Sequence, residues 1–157
     1  MKQDRFLTGI LVGIAVLVIV ALAVFFIRKD TQSYISEDEP EGVVHNYVLA
    51  VLNGDYEKAY GYLAELENQP TYEQFRDAFI KGMVNPNNSA VDIGQSEVNN
   101  DTASVEVAMI NSPSDPFSTG YRDVQRAVLV RQGSAWKLSS MPTYYYWDYN
   151  WYQEQPK

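Results

Sequence analysis

From Phe6 to Ile27 about 22 consecutive positions carry no charge. Beyond them the hydrophobic pattern changes twice, first to a period near 3.6 and then to a period of 2. At about 1.5 Å per helical residue the uncharged run reaches roughly 33 Å, the depth of a bilayer's hydrocarbon core. Its charges lie only at the ends, Lys2, Asp4 and Arg5 before it and Arg28, Lys29 and Asp30 after it. The run is longer than a buried core helix needs. Ala21-Leu22-Ala23 has the small-x-small form of a cleavage site, but the apolar stretch continues through Val24, Phe25, Phe26 and Ile27, where a cleavage region turns polar. The pattern therefore predicts a transmembrane signal anchor over 1–30, with retention and cleavage as alternatives. A short basic N-terminus before a long span predicts a single-pass cell-membrane protein with its C-terminal domain exported.

Thr31 to Glu39 is polar and acidic and reads as a juxtamembrane linker over 31–39. Pro40 suits the first turn of a helix, with Asp38 or Glu39 as its cap. Val43, Val44, Tyr47, Val48, Val51 and Leu52 recur three and four apart, making one apolar stripe that Gly54 ends. Asp55 caps a second helix to about Glu65, with Tyr56, Ala59, Tyr60 and Leu63 inward. Thr71 with Gln74 three residues on forms a capping box for a third helix, whose Phe75, Ala78, Phe79 and Met83 face inward.

After Asn85-Pro86-Asn87-Asn88 the period becomes 2. Val91, Ile93 and Val98 lead to a turn at Asn99-Asn100-Asp101-Thr102, and Ala103, Val105, Val107 and Met109 alternate with polar or small residues on the way back. Asn111 to Gly120, with two prolines, is a long loop. Asp123 to Arg131 and Ala135 to Met141 are two further strands about Gln132-Gly133-Ser134. Helices followed by antiparallel strands predict an α+β domain, three helices on one face of a curved sheet of about four strands.

Pro40 to Ala64 (PEGVVHNYVLAVLNGDYEKAYGYLA), a third helix and a meander ending at Val128 to Leu138 (VLVRQGSAWKL) resemble small bacterial members of the nuclear transport factor 2-like superfamily, membrane-anchored or lipoprotein in type. The resemblance spans 40–141 and leaves 142–157 as an aromatic-rich tail. It implies a cone with a pocket at its open end, and sheet-mediated dimers are common among such relatives. The superfamily includes isomerases, dehydratases and binding modules, so fold alone assigns no activity. No stretch of this chain matches the aspartate and tyrosine roles of the isomerases, and no catalytic residue is carried over. The dehydratases use histidine with aspartate, and His45, the single histidine, reads as a partly exposed helix residue.

Composition narrows the chemistry. From residue 31 onward eight basic residues stand against eighteen acidic ones, a charge of −10. Such a surface repels phosphate, which argues against nucleic acid as a partner. The chain has no cysteine, which removes disulfides, thiolate metal sites and a lipid-modified cysteine anchor. No cofactor and no metal site are expected. Glu37, Asp38, Glu39 and Glu41 lack the spacing of a calcium loop, and Asn87-Asn88-Ser89 and Asn100-Asp101-Thr102, though sequons, read as turn residues.

The segment Tyr144 to Tyr152 holds seven aromatic residues in nine positions. Were it extended, Tyr145, Trp147, Tyr149 and Trp151 would share one face. That face either packs on the sheet or binds: a second copy, an envelope protein, or a glycan or small ligand, with membrane lipid contacted through the anchor. The leading expectation is an exported, membrane-anchored, non-enzymatic binding module. The alternatives are a pocket enzyme of isomerase or hydrolase type and a structural scaffold in an envelope complex.

Overall fold

The computed structural model describes residues 5–27, 33–111 and 120–152. It falls into two units, Met1–Ser33 and Tyr34–Lys157. The first contains one helix, α1 (Arg5–Ile27), 23 residues of mostly apolar sequence. Among the described residues no helix is long and apolar enough to cross a membrane. The transmembrane signal anchor predicted over 1–30 is corrected accordingly, and the membrane expectation is not carried further.

The second unit is α+β, as its change of period predicts. Its elements run α2 (Pro40–Leu52), α3 (Tyr56–Gly61), α4 (Tyr72–Ile80), a 3-10 turn at Pro86–Asn88, then β1 (Ala90–Asn99), β2 (Thr102–Asn111), β3 (Tyr121–Gln132) and β4 (Ala135–Ser140). The strands form one antiparallel sheet in the order β1-β2-β3-β4. Two residues, Asn100 and Asp101, connect β1 to β2, and Asn100 takes the positive φ of 53° that such a tight turn requires. The register slips between Ile93 and Ser96 and between Val128 and Leu129, irregularities of the kind that bend strands. The long loop predicted between β2 and β3 lies, over 112–119, outside the described residues.

Alternation along β2 decides which face is core. Ala103, Val105, Val107 and Met109 are all buried, together with Ala127 and Leu129 on β3 and Leu138 on β4. The α2 stripe of Val43, Val44, Tyr47, Val48 and Val51 covers them, while Leu52 is exposed. Glu39 occupies the α2 cap position but makes no side-chain capping bond, so the capping expected of Asp38 or Glu39 does not form. Asp38 instead accepts from the Ser36 hydroxyl.

Three departures from the periodic reading have local causes. The second helix ends at Gly61 rather than near Glu65, because the backbone there leaves to pair with β4. Leu138 N–H donates to Tyr62 O and Ala64 N–H to Leu138 O, each at 2.8 Å, which covers the β4 edge. Met83 is exposed instead of inward, since Gly82, at a φ of 72°, turns the chain after α4 and leaves the core position to Val84. The capping box does form, with Gln74 N–H on Thr71 Oγ1 at 3.3 Å and Thr71 N–H on Gln74 Oε1 at 2.9 Å.

The start of this unit is not a loose linker. Asn46, fully buried on α2, accepts from Ile35 N–H at 2.9 Å and donates to Ile35 O at 2.9 Å and to Glu37 Oε1 at 3.1 Å. Tyr62 donates its hydroxyl to the same Glu37 oxygen at 2.7 Å. Burial, followed by the Glu37 hydrogen bond and charge, holds the Tyr62 hydroxyl well above its usual pKa, so it stays a donor. Gly42 lies under this strap, and a Cβ there would come within 1.8 Å of Ser36 O.

Glu41 ties the start of α2 to the irregular part of β1 by accepting from Ser96 N–H at 2.9 Å. Partial burial pushes its carboxyl up, but hydrogen bonds from Ser96 and from its own backbone outweigh that and leave the pKa below its ordinary 4.5. A depressed carboxyl pKa stabilises the fold above the unfolded value, and that contribution is lost as pH falls through the folded one. Glu41→Gln therefore lowers the urea midpoint at pH 7, and the gap to the parent closes by pH 3. An equal gap at both pH values would contradict this assignment.

Candidate binding cleft

The C-terminal aromatic segment is not extended. Tyr144 and Tyr152 adopt positive φ values of 72° and 58°, and the chain between them turns, with Tyr144 N–H donating to Trp147 O and Trp151 N–H to Asp148 O, each at 3.2 Å. A turning backbone cannot keep alternate residues on one face. The buried rings are Tyr146, Trp147 and Trp151, whereas Tyr144 and Tyr149 are exposed. Trp151 packs 4.9 Å from both Phe75 and Trp147, and Trp147 stacks on Tyr152 at 5.7 Å. Tyr47 donates its hydroxyl to Tyr146 O, and Tyr152 donates to Ala64 O.

The four residues singled out from the sequence are thus dispersed. Trp147 and Trp151 belong to the core, and Tyr149 is on the surface. Tyr145 is half-buried, and its hydroxyl is pushed up first by a hydrogen bond with Tyr121, then by burial and by the charges of Tyr121 and Asp123. Of the four, only Trp151 reaches a cleft of about 770 Å³, which the tail forms with the loop before α4 and the outer side of α4. Trp151 is 7% exposed, so it offers an edge rather than an open face on which a sugar ring could stack.

The polar lining comes from positions the aromatic reading passed over. Glu73 and Asp77 on α4 and Lys81 at its C-cap stand four apart and line one side of the cleft. Glu67 comes from the preceding loop, and Asp148 and Asn150 come from the tail, where Asp148 Oδ1 accepts from Asn150 N–H at 2.8 Å. Lys81 Nζ lies 2.7 Å from Asp77 Oδ2, and Arg76 lies 3.6 Å from the other oxygen. The Lys81 hydrogen bond, against slight desolvation and with help from both cations' charges, holds the Asp77 carboxyl below its usual pKa. The cleft thus carries four carboxylates against one ammonium, which is already engaged. Four-residue spacing of Glu73, Asp77 and Lys81 was visible in the sequence, but nothing there joined it to Asp148. His45 is half-buried on α2. Among the described residues no group of three or more histidines and carboxylates is placed to hold a metal ion.

No family model matches this sequence. No curated protein matches it either. Among solved structures, it is similar to a SEC-C motif containing protein from Rhodopseudomonas palustris, 13% identical, over 68% of this chain and 79% of that one, with a TM-score of 0.48. It is also similar to an uncharacterised cystatin fold protein from Novosphingobium aromaticivorans, 10% identical, over 64% and 97%, with a TM-score of 0.40. Neither likeness carries an argument about activity.

Proposed function

We propose that residues 34–152 form a non-enzymatic binding module for a partner protein, which seats a basic segment in the cleft beside Trp151. The single observation behind this reading is a concave site of about 770 Å³, within the range of ligand pockets, whose one ammonium is bound to Asp77 while, among the described residues, Glu67, Glu73 and Asp148 have no cation within ion-pair distance. A Lys or Arg side chain would supply the missing charge, and Met83 and the Trp151 edge would receive its aliphatic stem. Among the described residues the two carboxyl groups with displaced pKa values, Glu41 and Asp77, are both lowered. That direction suits fixed charges rather than an acid catalyst. The resemblance to the nuclear transport factor 2-like superfamily is kept as part of this proposal, supported by three helices followed by a four-stranded antiparallel meander.

A short Lys/Arg-rich peptide, titrated into isotopically labelled protein, is expected to shift amide resonances at 67–81 and 148–151 saturably, with an affinity that falls as salt is raised. The double variant Glu73→Gln/Asp148→Asn should weaken binding at least tenfold. Glu57→Gln/Glu65→Gln, with the same change of charge outside the cleft, should leave it within twofold. Equal losses in both variants would reduce the effect to net charge and overturn the reading.

A further inference from the structure

Lys81 lies one helical turn after Asp77, at the C-cap of α4, and returns to that residue twice. Its N–H donates to Asp77 O at 2.8 Å, and its Nζ lies 2.7 Å from Asp77 Oδ2. The last turn of the helix thus holds its backbone, and Gly82, at a φ of 72°, turns the chain away behind it. The side chain is held far less. It is 64% exposed, against 35% for Asp77, and an ion pair so open to water contributes little net free energy. Breaking it therefore costs little.

Arg76 approaches the other Asp77 oxygen at 3.6 Å but does not line the cleft, since neighbours in a helical sequence point to different sides. Asp77 has one cation inside the cleft and one outside. Lys81 is also the lone cation among the lining residues, where Glu67, Glu73 and Asp148, among the described residues, have no cation within ion-pair distance. An alkylammonium already sits on a carboxylate of this cleft, and it belongs to the chain itself.

Resting on the reading of the cleft as a seat for a basic segment, we infer that Lys81 is a tethered competitor for that seat, covering Asp77 when the cleft is empty and yielding it when a partner's cations arrive. The incoming segment meets the three open carboxylates first. Its next cation takes Asp77, and the Lys81 ammonium, on a flexible four-carbon stem, swings out to water. The Asp77 carboxyl has a usual pKa of 3.8 and is held lower by the Lys81 hydrogen bond, so at neutral pH it is ionised with or without the lysine. The exchange needs no proton. Lys81 thereby sets a threshold on charge density. A lone cation at Asp77 merely replaces one ammonium by another, whereas a segment with several also gains the open carboxylates, which offsets the exchange.

The probe is hexa-arginine, blocked at both ends, titrated into isotopically labelled full-length chain at about 0.15 M salt, where charges more than about 8 Å apart are largely screened. At saturation the Lys81 side-chain resonances are expected to move to the positions of a solvated lysine. Lys81→Gln should bind the peptide at least fourfold tighter than the parent, a gain that misfolding cannot produce, and Lys81→Arg, which keeps a competing cation, should stay within twofold of the parent. Arg76→Gln removes the same charge from the same carboxylate, outside the cleft, and should gain less than twofold. A gain for Lys81→Gln no larger than for Arg76→Gln, or Lys81 resonances that stay in place at saturation, would overturn the competitor role while leaving the cleft reading intact. Failure of both the parent and Lys81→Gln to bind saturably would overturn the two together.

Discussion

Replacing Trp147 with alanine lowers the unfolding free energy of the second unit by about 3–5 kcal/mol, the range for truncating a buried tryptophan. The indole is 4% exposed. It meets Trp151 at 4.9 Å, Tyr152 at 5.7 Å and Tyr47 at 6.3 Å, and interiors of native density cannot close around such a loss. At about 4 °C per kcal/mol for a domain of this size the thermal midpoint falls by roughly 12–20 °C. Tyr149, 67% exposed in the same segment, serves as the contrast, and Tyr149→Ala should stay within about 0.5 kcal/mol of the parent. Calorimetry on the two variants separates a core role for the aromatic segment from an interface role. A Trp147 variant that melts like the parent would return the tryptophan to the surface.

The second large effect is expected at Asn46. Asn46→Leu keeps the volume but removes two hydrogen bonds to Ile35 and one to Glu37. The strap over 33–39 then has nothing to hold its backbone against α2. Its buried polar groups are satisfied only by swinging out to water, which also strips Tyr62 of its acceptor. A loss of about 2–3 kcal/mol is expected from groups of this kind, roughly 8–12 °C in the thermal midpoint. The decisive readout is local. Hydrogen exchange at 35–37 should approach that of an open chain while β2 and β3 keep their protection. Strap amides that stay protected in the variant would show that Asn46 does not hold it. The close approach over Gly42, where a Cβ would meet Ser36 O at 1.8 Å, explains why a glycine is tolerated inside this helix despite its cost.

How much of this was legible follows from which interactions are local. The capping box at Thr71 and Gln74, the stripe on α2 and the alternation of β2 depend on neighbours a few residues away, and the sequence displays them directly. The strap is different, since one asparagine in an apolar stripe does not reveal that it bonds residues eleven positions earlier. Similarly, the end of α3 is decided by Leu138, far along the chain. In the aromatic segment the extended alternative fails for one reason. Positive φ at Tyr144 and Tyr152 bends the backbone, so the even spacing of Tyr145, Trp147, Tyr149 and Trp151 does not place them on one face. The acidic cleft is hidden for a related reason, because its lining comes from segments that only the fold brings together.

The burial of Trp147 and Trp151 against α2 and α4 also sets a timetable. Tyr47 reaches its partner at Tyr146 across 99 residues, and Tyr152 reaches Ala64 across 88. Helices made early must therefore wait, with Phe75 and Phe79 uncovered, until the last aromatic residues have been synthesised and released. Closing such distant contacts slows folding and prolongs the exposure of sticky surface. A nascent chain halted after β4 would have every described helix and strand of the domain and still lack a finished core, which makes residues 142–152 the step that commits the chain to its native state.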